Sequence, residues 1–402
     1  MGSRVGVVVV GGGVCGLWTL WALLEAGHDA WLVESDGLGS GQTLASQGIL
    51  HAGVKYRLPG NTADSSRSVA DVQPVWEAAL RGEGGPDLSS VRSGVGTGIG
   101  FGVGSGAAVT YLWSLPSMGA RAAAEVAARV MRSGTRKLDS GERPDAFAGA
   151  PRGVSVFEAG ERVVEPRSLV EALRAACGGR ARAGRCVGVR RDGDGVVVLL
   201  EGGSEGGYEV GASSVVLAAG VGNEGLIASA GGDAGALCQR RPLHQVVGRG
   251  APFALNGHCL QASDKPVLTV TTGVMDGERT WYLGGDLAET GVGRGEAEQC
   301  GRAVAAVERC LGWADVSGMR WSSFEIDRAE GKTANGKRPD GPVVRDVVEG
   351  VVAVWPTKLV LAPVAAARVV EAVGGVRGLA HGGGDGGGLE RLPEATVGEV
   401  VW

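Results

Sequence analysis

The sequence predicts an α/β protein. A Rossmann-like domain with a parallel sheet is interleaved with an α+β domain built on an antiparallel sheet. Three observations predict it. The stretch "VVVVGGGVCGLW" (7–18) runs four valines straight into three glycines. Further short, strongly apolar runs return far along the chain, at 186–220 and 350–355. Between them lie stretches with polar alternation, such as "VLTVTT" (267–272) and "TWYLGG" (280–285), which read as antiparallel strands.

Taken in order, the valines read as a buried parallel strand, because strands covered on both faces show continuous apolar runs. Gly11, Gly13 and Gly16 then fit G-x-G-x-x-G, with Val14 and Cys15 inside the motif, and Leu17–Leu24 reads as the helix that follows. In this turn the first glycine permits the bend, the second lets backbone approach a pyrophosphate, and the third lets helix pack on strand. The N–H groups at the helix start face the anion. The chain has 73 glycines, so chance matches are common and the continuation decides. "AWLVE" (30–34) is a second strand, ending in Glu34 beside Ser35. A carboxylate about 20 residues past the glycines can bond a ribose 2′-hydroxyl.

Farther on, "EPRSLVEALRAAC" (165–177) is an amphipathic helix with Pro166 near its start. "CVGVRR" (186–191), "GVVVLLE" (195–201) and "YEVGASSVVLAAG" (208–220) are strands, and the last ends in small residues that let a ligand lie close. "GEAEQCGRAVAAVERCLG" (295–312) is a helix. "GVVAVW" (350–355) is a strand that runs through Pro356-Thr357-Lys358-Leu359 into a helix, "PVAAARVVEAV". The layout assigns 1–70, 155–230 and 335–402 to the dinucleotide domain. It assigns 71–154 and 231–334 to the substrate domain.

With 402 residues, 44% of them apolar, the chain can build two cores. A net charge of −5 argues against a nucleic-acid partner. Apolar runs break well before the ~18 residues a membrane helix needs, and "MGSRVG" lacks the apolar centre of a signal peptide. Seven scattered cysteines without C-x-x-C read as reduced thiols, so a cytoplasmic setting is expected. The five histidines show no metal-ligand spacing, so no metal is expected. The glycine-rich segments 93–106 and 381–388 read as loops.

At this point the chain resembles the FAD-dependent oxidoreductases of the D-amino-acid oxidase superfamily, which include glycine oxidase, glycerol-3-phosphate dehydrogenase and L-2-hydroxyglutarate dehydrogenase. The fingerprint, the interleaving, and "NGKRPDGPVV" (335–344) followed by a strand and "PTKLVLAP" carry the resemblance. "GSGQTLASQGILHAGVKY" (39–56) is closest in style to the hydroxy-acid and glycerol-phosphate members. The resemblance implies FAD, held non-covalently. It places Gly41, Gln42 and Thr43 near the pyrophosphate and ribityl chain, and Ser46, Gln47 and Gly48 near the isoalloxazine ring. Cys186 and Val187 would meet the adenine, Ala219 and Gly220 the pyrophosphate, and Thr357, Lys358 and Leu359 the pyrimidine edge of the flavin. Many relatives carry a glycine-rich step where this chain has Pro-Thr-Lys-Leu.

His51 is the candidate base on a substrate hydroxyl, since imidazole titrates near neutrality. Its alternatives are a covalent FAD attachment point and a histidine that holds its loop. Arg338 is the candidate partner of a substrate carboxylate, which a planar guanidinium suits; a salt bridge at the domain junction is the alternative. Lys358 is placed near the flavin, against a surface lysine. Tyr282 or Trp281 could form a pocket wall in contact with substrate, against a plain core role. His244 and His258 read as structural. The leading function is oxidation of a CH–OH bond on a small acid, with O₂ or a quinone among the open acceptors. The alternatives are an amine or amino-acid oxidase using O₂, and a non-catalytic or tRNA-modifying protein that binds FAD or NAD.

Overall fold

The computed structural model describes residues 4–51, 71–92, 108–119, 122, 125–126, 135–193, 195–202, 207–261, 266–374 and 386–400. The segment 93–106, most of 381–388 and the stretch 52–56 lie outside the described residues. The chain runs through β1 (Val5–Val10), α1 (Val14–Glu25), β2 (Ala30–Glu34), β3 (Ile49–Leu50) and α2 (Gln73–Arg81). Then come β4 (Ala108–Ser114), β5 (Arg136–Lys137), β6 (Val156–Val163), α3 (Pro166–Ala176), β7 (Ala181–Ala183), β8 (Cys186–Asp192), β9 (Gly195–Leu200) and β10 (Tyr208–Leu217). The second half holds α4 (Asn223–Ser229), β11 (Cys238–Arg249), β12 (Gly257–Leu260), β13 (Leu268–Met275), β14 (Glu278–Gly284) and α5 (Glu296–Cys310). It closes with β15 (Arg320–Gly331), β16 (Val343–Val348), β17 (Val351–Trp355) and α6 (Ala362–Gly374).

Two sheets form. The first has the order β16-β17-β10-β1-β2-β7, with β9 and β8 added beside β10. Its centre is parallel: β1 pairs in parallel with both β2 and β10, and β10 with β17. Every residue of β1 is buried, as its unbroken apolar run requires. Val7 and Val9 join a core shared with α1, α3 and α6, while Val8 and Val10 join the core on the opposite face. The helices read from sequence at 166–176, 296–310 and 362–374 are all present.

The second sheet has the order β15-β11-β14-β13-β12-β4-β6-β3 and is antiparallel except for the β4–β12 pair. Its core packs Trp113, Trp281, Leu283 and Val246 against Ala303 and Val307 of α5. β3 and β6 fall within the segments 1–70 and 155–230, yet they hydrogen-bond into this second sheet. β11 and β15 pair over their whole length, Cys238↔Gly331 to Arg249↔Arg320. Pro242 is tolerated in β11 because β14 pairs only with Val246–Arg249, so the strand has a bare edge at the proline. No helix of the described residues is long and apolar enough to cross a membrane.

Candidate active site

The carboxyl ends of β1, β2, β10 and β17 open into one cavity of about 1050 Å³, floored by the glycine turn and walled opposite by the second sheet. This is the crevice in which open parallel sheets bind ligands. The glycines have separate reasons. Gly11 has φ +108°, and an added Cβ would lie 2.6 Å from the Ala218 carbonyl oxygen. A Cβ on Gly16 would lie 1.9 Å from the carbonyl oxygen of Gly11, so it sets helix-to-strand packing and does not line the cavity. Gly13, Val14 and Cys15 do line it. The first turn of α1 carries no acidic side chain, and its N-cap Gly13 offers no side-chain cap, which leaves the turn suited to an anion. The Cys15 thiol is pushed up to about 12 by burial, against a weaker bond with Thr19, so it stays neutral.

Glu34 also lines the cavity; its carboxylate accepts from the backbone N–H groups of Gly12 (2.5 Å) and Asp36 (2.8 Å). Ser35, Cys186, Val187, Ala219 and Gly220 also line the cavity. The loop after β2 then crosses from one sheet to the other. Gly41, Gln42 and Thr43 line the cavity, and the Thr43 hydroxyl accepts from the N–H of Val14 (3.1 Å). Ser46, Gln47 and Gly48 line it too. The Gln47 amide donates to the carbonyl of Tyr282 (2.9 Å), and a Cβ on Gly48 would lie 1.9 Å from the carbonyl oxygen of Val164. The loop therefore fastens the two sheets together at the cavity.

Thr357, Lys358 and Leu359 line the end of β17. Lys358 is buried, 8% exposed, not a surface lysine. Thr357 has φ +65°, unusual for a β-branched residue, and its hydroxyl donates to the carbonyl of Gly341 (2.9 Å). Arg338 lines the same cavity from the β15–β16 connection. Arg328, on β15, joins it, and no motif in the sequence marks it. Burial, then the nearby Arg241, lowers the Arg328 guanidinium below its usual value, Glu289 and Glu330 oppose this, and Arg338 adds to it. Tyr282 does not line the cavity; its ring lies over Gly273, where an added Cβ would meet Cε2 at 3.1 Å. Trp281 is fully buried and donates to the carbonyl of Phe253 (2.9 Å).

His51 lines the cavity at the end of β3, with its side chain 20% exposed. Its Nδ1 lies 3.3 Å from Oε1 of Glu161, which is buried. The other carboxylate oxygen lies 3.5 Å from Nε2 of His258, whose Nδ1 contacts the Thr269 hydroxyl at 2.8 Å. The sequence shows no cluster here, because its members stand about a hundred residues apart and only β3, β6 and β12 bring them together. The donor atoms of all three lie within 4.8 Å of one another. Burial opposes ionisation of Glu161, but the two imidazoles outweigh it and hold the carboxyl well below its usual range. His244 is structural, bonded to the Gly291 carbonyl and the Ser323 hydroxyl.

The family model for FAD dependent oxidoreductases (DAO) matches residues 6–390. The chain belongs to this family of FAD-dependent oxidoreductases. It is 35% identical over 401 residues to the "Probable FAD-dependent oxidoreductase PA4991" of Pseudomonas aeruginosa, covering 98% of this chain and 97% of that one. The crystal structure of that protein superposes with a TM-score of 0.78 at 32% identity, over 100% and 99% of the two chains. Glycine oxidase from Geobacillus kaustophilus (TM-score 0.62, 19% identity, 95% and 100% covered) shares the fold. So does L-α-glycerophosphate oxidase from Mycoplasma pneumoniae with FAD bound (TM-score 0.67, 15% identity, 96% and 98% covered). The enzyme's cavity fits the cofactor: it exceeds the ~300–1,000 Å³ of drug-sized sites. Its glycine turn also has no room for a side chain at Gly11.

Proposed function

We propose that the enzyme oxidises a C–H bond bearing a hydroxyl on a small acid, with His51 as base and arginine as the carboxylate clamp. The single observation that carries this reading is His51 on the cavity wall, with the buried carboxyl of Glu161 3.3 Å behind it, sharing the cavity with Arg338, Arg328 and Lys358. Bound FAD supplies the two-electron acceptor. The chain's own residues do the rest. The glycine turn and the start of α1 hold the pyrophosphate. Glu34 holds the adenosine ribose, and Cys186 with Val187 borders the adenine. Ser46–Gly48 and Thr357–Leu359 would border the flavin ring, with the buried Lys358 amine placed beside it. His51 takes the hydroxyl proton, and Arg338 fixes the acid so that its C–H faces the ring.

The second reading is amine oxidation, the chemistry named for the neighbour glycine oxidase. A neutral amine reacts without a strong base, so it does not need His51. The decisive experiment is anaerobic flavin bleaching across 2-hydroxy acids, amino acids and polyol phosphates. Bleaching by a hydroxy acid supports the first reading, and bleaching by amines alone replaces it with the second. No bleaching by any compound would leave a protein that uses its cofactor structurally.

Two expected results follow from these assignments. FAD should enter the supernatant when the protein is precipitated with acid; flavin left in the pellet would make His51 an attachment point. Arg338→Lys keeps the charge but loses the planar fork. It should weaken substrate binding by about 10- to 100-fold, equal to roughly 1–3 kcal/mol for charge-assisted bonds, with the flavin spectrum unchanged. Unchanged affinity in anaerobic titration would move the clamp to Arg328.

A further inference from the structure

We infer that Glu161 is a positioning residue for His51: it fixes the imidazole with its proton on Nδ1 and its lone pair on Nε2, and His258 anchors the carboxylate from the far side. The inference rests on the reading of His51 as the base. It starts from strand register. β3 and β6 pair Ile49↔Val163 and Leu50↔Arg162, and one more antiparallel step sets His51 opposite Glu161. β12 and β13 pair His258 with Thr269. β4 lies between β6 and β12, so the Glu161 side chain reaches across that strand to His258. Thr110 on β4 fastens the crossing, its hydroxyl within reach of the carbonyls of Ala159 (3.4 Å) and Glu161 (3.3 Å).

The chemistry follows from the carboxylate. Glu161 is 1% exposed, and an ionised carboxylate can only accept. The nitrogen of each imidazole that faces it must therefore carry hydrogen: Nδ1 of His51 and Nε2 of His258. A neutral His51 then holds its lone pair on Nε2, the arrangement a general base needs. When Nε2 takes the proton of the substrate hydroxyl, the Nδ1 proton stays in place. The new imidazolium faces a carboxylate, which stabilises it, and the electrons of the C–H bond pass to FAD. Thr269, which contacts Nδ1 of His258, itself lines the cavity, so the polar chain begins and ends at the same wall. The carboxylate sits between the rings and turns a different oxygen to each, at 3.3 and 3.5 Å. The His51 contact is the hydrogen-bonded one, the His258 contact is an ion-pair distance, and the three donor atoms are also close enough together to hold a metal ion, which the test separates.

The test uses FAD-loaded protein labelled with ¹⁵N-histidine, with His51→Gln identifying the His51 signals. In wild type, His51 should show a protonated Nδ1 and an unprotonated Nε2. In Glu161→Gln it should show a mixture of tautomers. With whichever panel compound bleaches the wild type, Glu161→Gln should slow flavin reduction on the order of 10²-fold with substrate affinity kept. In a His51→Gln background the same change should slow it no further, because two residues acting as one unit are not additive. If Glu161→Gln loses FAD, Glu161→Asp serves instead: its shorter arm should release the same tautomer mixture. A His51 tautomer indifferent to both variants overturns the inference. So do additive rate losses, and so does one equivalent of metal in the wild type that Glu161→Gln removes. An intact bleaching rate in His51→Gln, with the tautomer signature present, removes the base reading and leaves the tautomer assignment standing.

Discussion

Glu34→Arg should purify as a colourless apoprotein. The wild-type carboxylate accepts from two backbone N–H groups, those of Gly12 and Asp36, and so holds the glycine turn open at the cavity rim. Arginine has no acceptor to offer them. It would also add a cation next to Arg185, which lines the same end of the cavity and already pairs with Asp36. With Glu34 as the proposed ribose partner, losing charge-assisted bonds on both the protein and the ribose side should cost about 2–4 kcal/mol of FAD binding, roughly 30- to 1,000-fold in affinity. The fold should survive, because Glu34 ends β2 and the strand's other residues are buried in the sheet. Titrating apoprotein with FAD and following flavin fluorescence checks it. A Glu34→Arg variant that binds FAD as tightly as wild type would take the ribose away from this carboxylate.

The parallel sheet was legible because its physics is local. An unbroken valine run, a glycine turn and an apolar helix follow one another within residues 5–25, and burial on both faces leaves no alternation to misread. β13, β14 and α5 were legible for the same reason. β11 and β15 were not. "CQRRPLHQVVGR" and "RWSSFEIDRAEG" carry charges and a proline that argue against strands; their pairing with each other over their whole length, and of the end of β11 with β14, makes them strands. β3 is two residues long and exists only because β6 is beside it.

The candidate site divides in the same way. Residues of contiguous segments line the cavity as expected: Gly11, Gly13, Val14 and Cys15 from the glycine motif, and Gly41–Thr43 and Ser46–Gly48 from the family resemblance. Glu161 could not. In sequence it is one glutamate in "FEAGERVV", and nothing local separates it from Glu158, which pairs with Arg136 at the surface. Its burial and its two imidazoles come from three strands meeting. His258 read as structural, and its full burial agrees, but its side chain faces the carboxylate behind His51. Arg328 escaped because its strand escaped.

His51→Gln should reduce the rate of flavin bleaching by a hydroxy acid by about 10²- to 10⁴-fold, or about 3–5 kcal/mol at 1.36 kcal/mol per tenfold. Glutamine can occupy the imidazole's place but cannot take a proton at neutral pH. The loop itself should stay in position, because Gln73 donates to the backbone carbonyl of residue 51 (2.7 Å), which the substitution keeps. FAD content and substrate affinity should therefore change little, and the loss should fall on the reduction step. A second consequence concerns stability. Glu161 would lose one of its two imidazoles and keep His258. A buried carboxylate with fewer partners lowers stability, by roughly 1–3 kcal/mol for a lost bond to a charged group, so Tm should fall together with the rate. Rapid mixing under anaerobic conditions reads the rate, and thermal unfolding of the same FAD-loaded samples reads the stability. A variant that loses stability but bleaches at the wild-type rate would mean that His51 supports its strand and that proton removal is done elsewhere or not needed, as amine oxidation allows.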